Sequence, residues 1–415
     1  MRQVWRIIIG TLPTQPQTPS ISGTPINSGI SSSTAPPARI NSLDVFRGIT
    51  VAAMILVNDP GTWSAIYWPL DHAEWNGWTP TDLIFPFFLF IVGVAMTFSF
   101  AARLRRGSTR GGLARHVLVR SLSILAVGIF LSVFPHFHFS TMRFPGVLNR
   151  IAVCYLMAGL LVVATARRAD AENFVTNIPV VAGVTAVLLI GYWAAMRFIP
   201  VPGIGAANLD PANNLAAWLD RKAMYGHLWG ELKQVRDPEG ILSTFPAIGT
   251  VLCGVLTGEW LRKPGTKSSK FYGLLGVGAI ALIVGRLLHP LFPINKNLWT
   301  STFVIFTAGF AMVILALCYW LVDMRGWRRW AQPFLVFGSN AITAFVLSTL
   351  LSIASSNFHV TDGDRQRTIH GYVFVHWCRS IAQPKNASLL FAIIFVAVCY
   401  LILLPLYLRR VFIKL

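Results

Sequence analysis

After about residue 40 the chain alternates between long apolar runs and short polar clusters. Runs of about 20 apolar residues are long enough to cross a bilayer as helices. Ten spans are predicted, near 43–58, 80–102, 113–134, 147–166, 178–198, 241–262, 271–289, 299–322, 332–353 and 387–408. The segment GYVFVHWCRSI, 371–381, is short and polar for an eleventh span and reads as interfacial or re-entrant. The predicted class is an all-α polytopic membrane protein of about ten transmembrane helices, eleven if that segment crosses.

The clusters between spans set an orientation. Arg103, Arg105, Arg106, Arg110 and Arg115 follow the second span, and Arg167 and Arg168 the fourth. Arg262, Lys263, Lys267 and Lys270 follow the sixth, Arg325, Arg328 and Arg329 the eighth, and Arg409, Arg410 and Lys414 the last. Every second loop is therefore basic, which places those loops and both termini in the cytoplasm. The loop around residues 59–79 carries no Lys or Arg and faces the other side; the loops near 199–240 and 354–386 are placed on that side too.

Composition sharpens this picture. The 415 residues are 54% hydrophobic and 12% charged, about half the charge of a soluble domain. A net charge of +19 would suggest nucleic acid in a soluble protein, but here it follows membrane topology and no nucleic-acid motif accompanies it. The five cysteines are scattered, four of them in apolar spans, and lack metal-ligand spacing. Residues 1–40 are rich in Ser, Thr, Pro and Gly, which predicts a disordered tail; residues 41–415 form the transmembrane domain. No internal repeat is evident, which counts against a secondary transporter.

Several polar residues interrupt the apolar runs. In LDVFRGITVAAMILVND, Asp44 and Arg47 share a helix face at i and i+3. Asn58, eleven residues beyond Arg47, falls within roughly 20° of that face and roughly 16 Å along the axis. Polar groups inside a membrane usually face an interior or a pathway, although an anchor at the headgroups and a helix cap explain the same residues. Asp82, near the start of the second span, is favoured by the helix dipole and reads as structural; Pro86 predicts a kink. Arg150, on the non-basic side, either snorkels or binds an anion. Ser339 and Asn340 in FGSNAITAF suit helix-to-helix hydrogen bonds. His136 and His138 look like a fragment of a metal site, but further ligands are lacking nearby.

The stretch WPLDHAEWNGWTPTDLIFPFF, 68–88, is the most informative. Trp68, Trp75 and Trp78 fit an aromatic belt at the membrane surface, with His72 an ordinary interfacial residue. A histidine with a carboxylate to orient it can also act as a general base or a nucleophile.

The stretch LDVFRGITVAAMILVND…LDHAEWNGWTPTDLIFPFFLFIVGVAM resembles the heparan-α-glucosaminide N-acetyltransferase family of transmembrane acyltransferases. The resemblance continues in RFPGVLNRIAVCYL, DPEGILSTFPAIGTVLCGVLTGEWL, LWTSTFVIFTAGFAMVILALCYWLVD and FGSNAI, and so covers nearly all of the chain after residue 40. It implies transfer of an acetyl group from cytoplasmic acetyl-CoA to an amino sugar across the membrane. The resemblance also implies that His72 is catalytic, with Asn58 at the same site. Asp44, Arg47, Arg103, Arg150 and Asn340 are then candidate CoA-binding residues. Asp71, Trp75 and Asn76 are candidates for the sugar. No metal is required. Lysosomal members carry a luminal domain where this chain has its tail, so a bacterial inner-membrane protein acting on a small amino sugar is expected. Membrane lipid is an expected partner, and a homodimer is compatible because ten helices can enclose a CoA tunnel in one subunit. The alternative is a permease for N-acetylated amino sugars or wall fragments, which would need no CoA.

Overall fold

In the computed structural model, residues 40–168 and 174–413 are described. The predicted tail, apart from Ile40, and Lys414 lie outside them. Each predicted span is helical, one of them as two helices with a break between them. The helices are α1 (Asn41–Asn58), α2 (Ile84–Leu104), α3 (Arg110–Val133), α4 (Val147–Thr165), α5 (Ile178–Phe198), the short α6 (Leu215–Met224), α7 (Ile241–Arg262), α8 (Lys267–Leu287), α9 (Ser301–Tyr319), α10 (Gln332–Ser339), α11 (Ala341–Asn357), the short α12 (Ile369–Val373) and α13 (Pro384–Leu408). Among the described residues the strands are confined to two small antiparallel pairs, the longer being His359–Asp362 with Arg365–Thr368.

Among the described residues, eight helices are long and apolar enough to cross a membrane. The protein is an all-α polytopic membrane protein. Two of the ten predicted spans need comment. Helix α1 is not among the eight, because Asp44, Arg47 and Asn58 lower its hydropathy; Val45, Phe46, Val51 and Ile55 on it are nevertheless fully buried. It packs against α2, α9, α10, α11 and α13 and so forms the axis of the bundle. The predicted span 332–353 is broken at Asn340, where residues 329–339 and α11 meet at 75°. Asn340 leaves helical geometry, and its amide donates to Val411 O at 3.1 Å and accepts from Ile413 N at 2.9 Å. The segment 371–381 is not a span: α12 and one π-helical turn, Phe374–Cys378, make a helix of only ten residues.

Helix α2 begins with a 3-10 turn, Pro80–Leu83. Pro86 therefore falls in the first α turn, where a missing N–H costs little, and the predicted kink is a change of winding just ahead of it. Small residues let α2 and α7 touch along their backbones, as they do in membrane bundles generally. A Cβ on Gly93 would meet Val251 O at 2.0 Å, and one on Gly254 would meet Phe90 O at 2.1 Å.

The loops of the non-basic end interlock. Gly77 N donates to Ile294 O at 2.8 Å, Phe144 N to His227 O at 3.0 Å, and the Trp75 indole to Leu209 O at 3.0 Å. These bonds join loops far apart in sequence into one layer over the ends of α1, α2, α4 and α7.

Gly93→Ala should lower stability by about 1–3 kcal/mol, because the helices must separate. Gly276→Ala on exposed α8, where a Cβ meets nothing within 4 Å, should be neutral or stabilising. Thermal unfolding in detergent checks both.

Candidate active site

A cavity of about 360 Å³ opens at the layer of non-basic loops. Its inner wall is apolar: Met54 of α1, Phe85 and Phe88 of α2, Leu148 and Ile151 of α4, Ile342 and Phe345 of α11. Its mouth is polar: Asn58, His72, Glu74, Asp82, Arg143, Trp229, Glu239, Lys296 and Asn297.

The polar mouth is organised by Asp82. The 3-10 turn that starts α2 points this side chain back into the preceding loop. One carboxylate oxygen accepts from Thr79 N at 3.0 Å and Ala73 N at 3.1 Å. The other meets His72 Nδ1 at 2.7 Å. The Asp82 side chain is 2% exposed, whereas that of His72 is 45% exposed. The ring is left open to the cavity, and in a neutral imidazole that gives its Nδ1–H to this buried acceptor the lone pair lies on Nε2. Lys296 completes the group, with Nζ 3.5 Å from Asp82 and 3.1 and 3.3 Å from the two ring nitrogens of His72. Burial draws the Lys296 ammonium below its ordinary range, although Asp82 and Glu239 oppose this.

The opposite side of the mouth is built by Arg143. It donates to both oxygens of Asp237, with Nε at 2.8 Å, and also to Glu239. Burial works against its charge, but Asp237 and Glu239 outweigh that and hold the guanidinium above its ordinary range. Its guanidinium also lies 5.0 Å from the ring of Trp229. These bonds fix the segment that carries Trp229 and Glu239 at the cavity.

Of the residues singled out in the sequence, His72 and Asn58 share this cavity. The others lie elsewhere. The Asp71 carboxylate accepts from His72 N at 2.8 Å and its carbonyl from Thr79 Oγ1 at 2.6 Å, so it shapes the loop and does not hold the imidazole. Trp75 binds Leu209 O and stacks with Arg236 at 4.5 Å. Asn76 accepts from Asn295 Nδ2 at 3.1 Å. Both brace loops and neither lines the cavity. Asp44 and Arg47 pair at 3.2 Å as their spacing predicted, and Arg47 also donates to Gly338 O at 3.2 Å, at the far end of α1. Arg150 neither snorkels nor reaches the cavity. It is 3% exposed, donates to Gly240 O and Ser243 Oγ, and lies over Trp299 at 5.1 Å, tying α4 to α7. Asn340 is committed to the C-terminal segment, and Arg103 closes α2 at the basic end.

Asp82, Lys296, Glu74, Glu239 and Trp229 were missed as site residues. Asp82 had a sufficient local explanation as a helix-start acid, and it does serve there: the same carboxylate caps the turn and holds His72. Lys296 carried one signal, a lone lysine in PINKNLW on the non-basic side. Among the described residues no group of three or more His, Cys, Asp or Glu is placed to hold a metal ion; His136 and His138 stack with ring centroids 6.1 Å apart.

Comparison with known proteins gives a consistent result. The sequence model of the catalytic region of heparan-alpha-glucosaminide N-acetyltransferase matches residues 39–289. The human heparan-alpha-glucosaminide N-acetyltransferase is 30% identical over 354 residues, covering 75% of this chain and 52% of the relative. The mouse protein of the same name is 29% identical over 354 residues, covering 74% and 53%. The chain spans about half the length of the curated relatives it matches.

Removing Arg143 would strand the fully buried Asp237 carboxylate without its cation. Arg143→Ala should therefore cost about 3 kcal/mol, read as a lowered denaturation midpoint in detergent. Arg143→Lys should recover only part of it, because lysine cannot make the paired bonds.

Proposed function

Because the chain belongs to the heparan-α-glucosaminide N-acetyltransferase family, we propose that it transfers an acetyl group from acetyl-CoA to the amine of a glucosamine-type sugar, with His72 as the reacting side chain. The observation that carries this reading is the half-exposed His72, held through Nδ1 by the buried Asp82 at the mouth of a cavity with an apolar wall.

The parts of the cavity suit the two substrates. The apolar wall between α1, α2, α4 and α11 fits the pantetheine arm and thioester of acetyl-CoA. The polar mouth fits the sugar, with the carboxylates of Glu74 and Glu239 facing an acceptor ammonium and Trp229 beside its apolar face. The basic loops at the other end of the bundle support CoA entry from the cytoplasm. They also support a mouth on the periplasmic side of a bacterial inner membrane, with both termini inside.

The chemistry follows from the geometry. The amine attacks the thioester carbonyl, a C–N bond forms and the C–S bond breaks. His72 Nε2 takes the amine proton, or in a two-step route takes the acetyl group before passing it to the amine; both routes use the same nitrogen. Asp82 keeps Nδ1 protonated and the ring aimed. Lys296, whose ammonium burial draws below its ordinary range, lies 3.3 Å from Nε2 and is placed to pass the proton onward. Asn58 offers an amide to the developing oxyanion, a contact worth about 3 kcal/mol. The departing thiolate needs no strong acid, since a free thiol ionises near ~8.5.

Purified protein with labelled acetyl-CoA and a panel of amino sugars tests the reading. Wild type should label an amino sugar. His72→Ala should lose roughly 10²–10⁴-fold in kcat and Asn58→Ala roughly 10²-fold. Wild-type-like rates in His72→Ala would refute the assignment. Protein-bound acetyl without acceptor marks the two-step route, and its absence the direct one.

A further inference from the structure

A second polar group lies inside the bundle, between α2, α3 and α4. His116 and Arg120 stand at i and i+4 on α3, so they share a face. Arg120 lies over the ring of Tyr155 on α4, 5.0 Å from its centroid. Arg103 in the last turn of α2 is close enough for its charge to act on both His116 and Arg120, and Arg106 adds to it. Three atoms here are buried without a hydrogen-bond partner: His116 Nε2, Arg120 Nε and the Tyr155 hydroxyl. Among the described residues no carboxylate pairs with Arg103, His116 or Arg120.

Such an arrangement is costly by itself. Like charges repel, unpaired buried donors lose their hydration, and ionisable groups within a membrane usually mark a pathway or a site. A bound anion would relieve both costs. Guanidinium groups, an imidazole and a phenol gathered on neighbouring helices match the several acceptor oxygens of a phosphate better than a single carboxylate.

The location gives this anion a source. Leu148 and Ile151 of α4 line the cavity at His72, and Tyr155 follows at the helical spacing that continues their stripe. Tyr155 lies about 6 Å further along α4 than Ile151, away from His72. We propose that Arg103, His116, Arg120 and Tyr155 form a phosphate-binding site at the inner end of the α4 stripe. The phosphate is that of the acyl donor's nucleotide, an assignment that rests on the acetyl-CoA reading, or that of an anionic phospholipid headgroup.

Binding by the full-length protein in neutral-lipid nanodiscs tests this. Dissociation constants for CoA and for pantetheine, which lacks the phosphates, would be measured for wild type, Arg120→Gln and His116→Gln. Arg120→Gln should weaken CoA binding roughly tenfold to hundredfold and hardly change pantetheine binding. A second arm measures phosphatidylglycerol retained by each protein from vesicles containing it, using native mass spectrometry. Loss of CoA affinity assigns the nucleotide; unchanged CoA affinity with lost phosphatidylglycerol assigns the headgroup. If neither changes, the site is overturned. Should wild type fail to bind CoA, the acetyl-CoA reading falls while the lipid arm still tests the phosphate site. If Arg120→Gln does not fold, Arg120→Lys, which keeps the charge and loses the fork, and His116→Gln give the same comparison.

Discussion

The carboxylate of Asp82 is buried at the start of α2, and both its oxygens are in use. One closes the turn by accepting from Thr79 N and Ala73 N, and the other meets His72 Nδ1. Lys296 brings the balancing charge from a loop more than 200 residues away in sequence. A buried carboxylate without such partners would be expensive. The start of a membrane helix, the path of the His72 loop, the docking of the 288–300 loop and the orientation of the imidazole are therefore settled by one side chain.

The bilayer constraint arranges everything around that point. Helices are the economical way for this backbone to cross an apolar medium. Because lipid offers no hydrophobic drive for helices to associate, close packing of small residues such as Gly93 and Gly254 holds α2 to α7. Clustered polarity is then confined to places where the bundle or its loops shield it. The loops at the non-basic end do this for His72, Asp82 and Lys296. Within the bundle, the faces of α2, α3 and α4 bring Arg103, Arg120 and His116 together. The apolar wall of the cavity, with Leu148 and Ile151 of α4, lies on the His72 side of that second group.

Much of this was legible in the sequence. The spans are nearly at their predicted positions because burial in lipid demands apolar length, and length is read directly. The Asp44–Arg47 pair follows from helix spacing. His72 stood out through the family resemblance; by its setting alone it also reads as an interfacial residue beside an aromatic belt. The partners of His72 were not legible. Asp71 is adjacent in sequence but its side chain turns to the backbone; Asp82 is ten residues away and had a complete local explanation. Trp75 and Asn76 flank the site in sequence yet face other loops, because an irregular loop has no period from which to read direction. Lys296, Trp229 and Glu239 arrive through tertiary folding alone. The break at Asn340 was hidden because hydropathy averages over a residue whose amide leaves the helix for two backbone groups near the C-terminus.

The central claim is that His72 and Asp82 act as one unit in acetyl transfer. A double-mutant cycle measures this directly: single-turnover transfer rates for wild type, His72→Ala, Asp82→Asn and the double variant, each shown to be folded. If Asp82 acts by holding the imidazole, Asp82→Asn should slow transfer substantially by itself and add almost nothing once His72 is gone. Losses that multiply in the double variant would contradict the account and leave Asp82 with only its role at the start of α2.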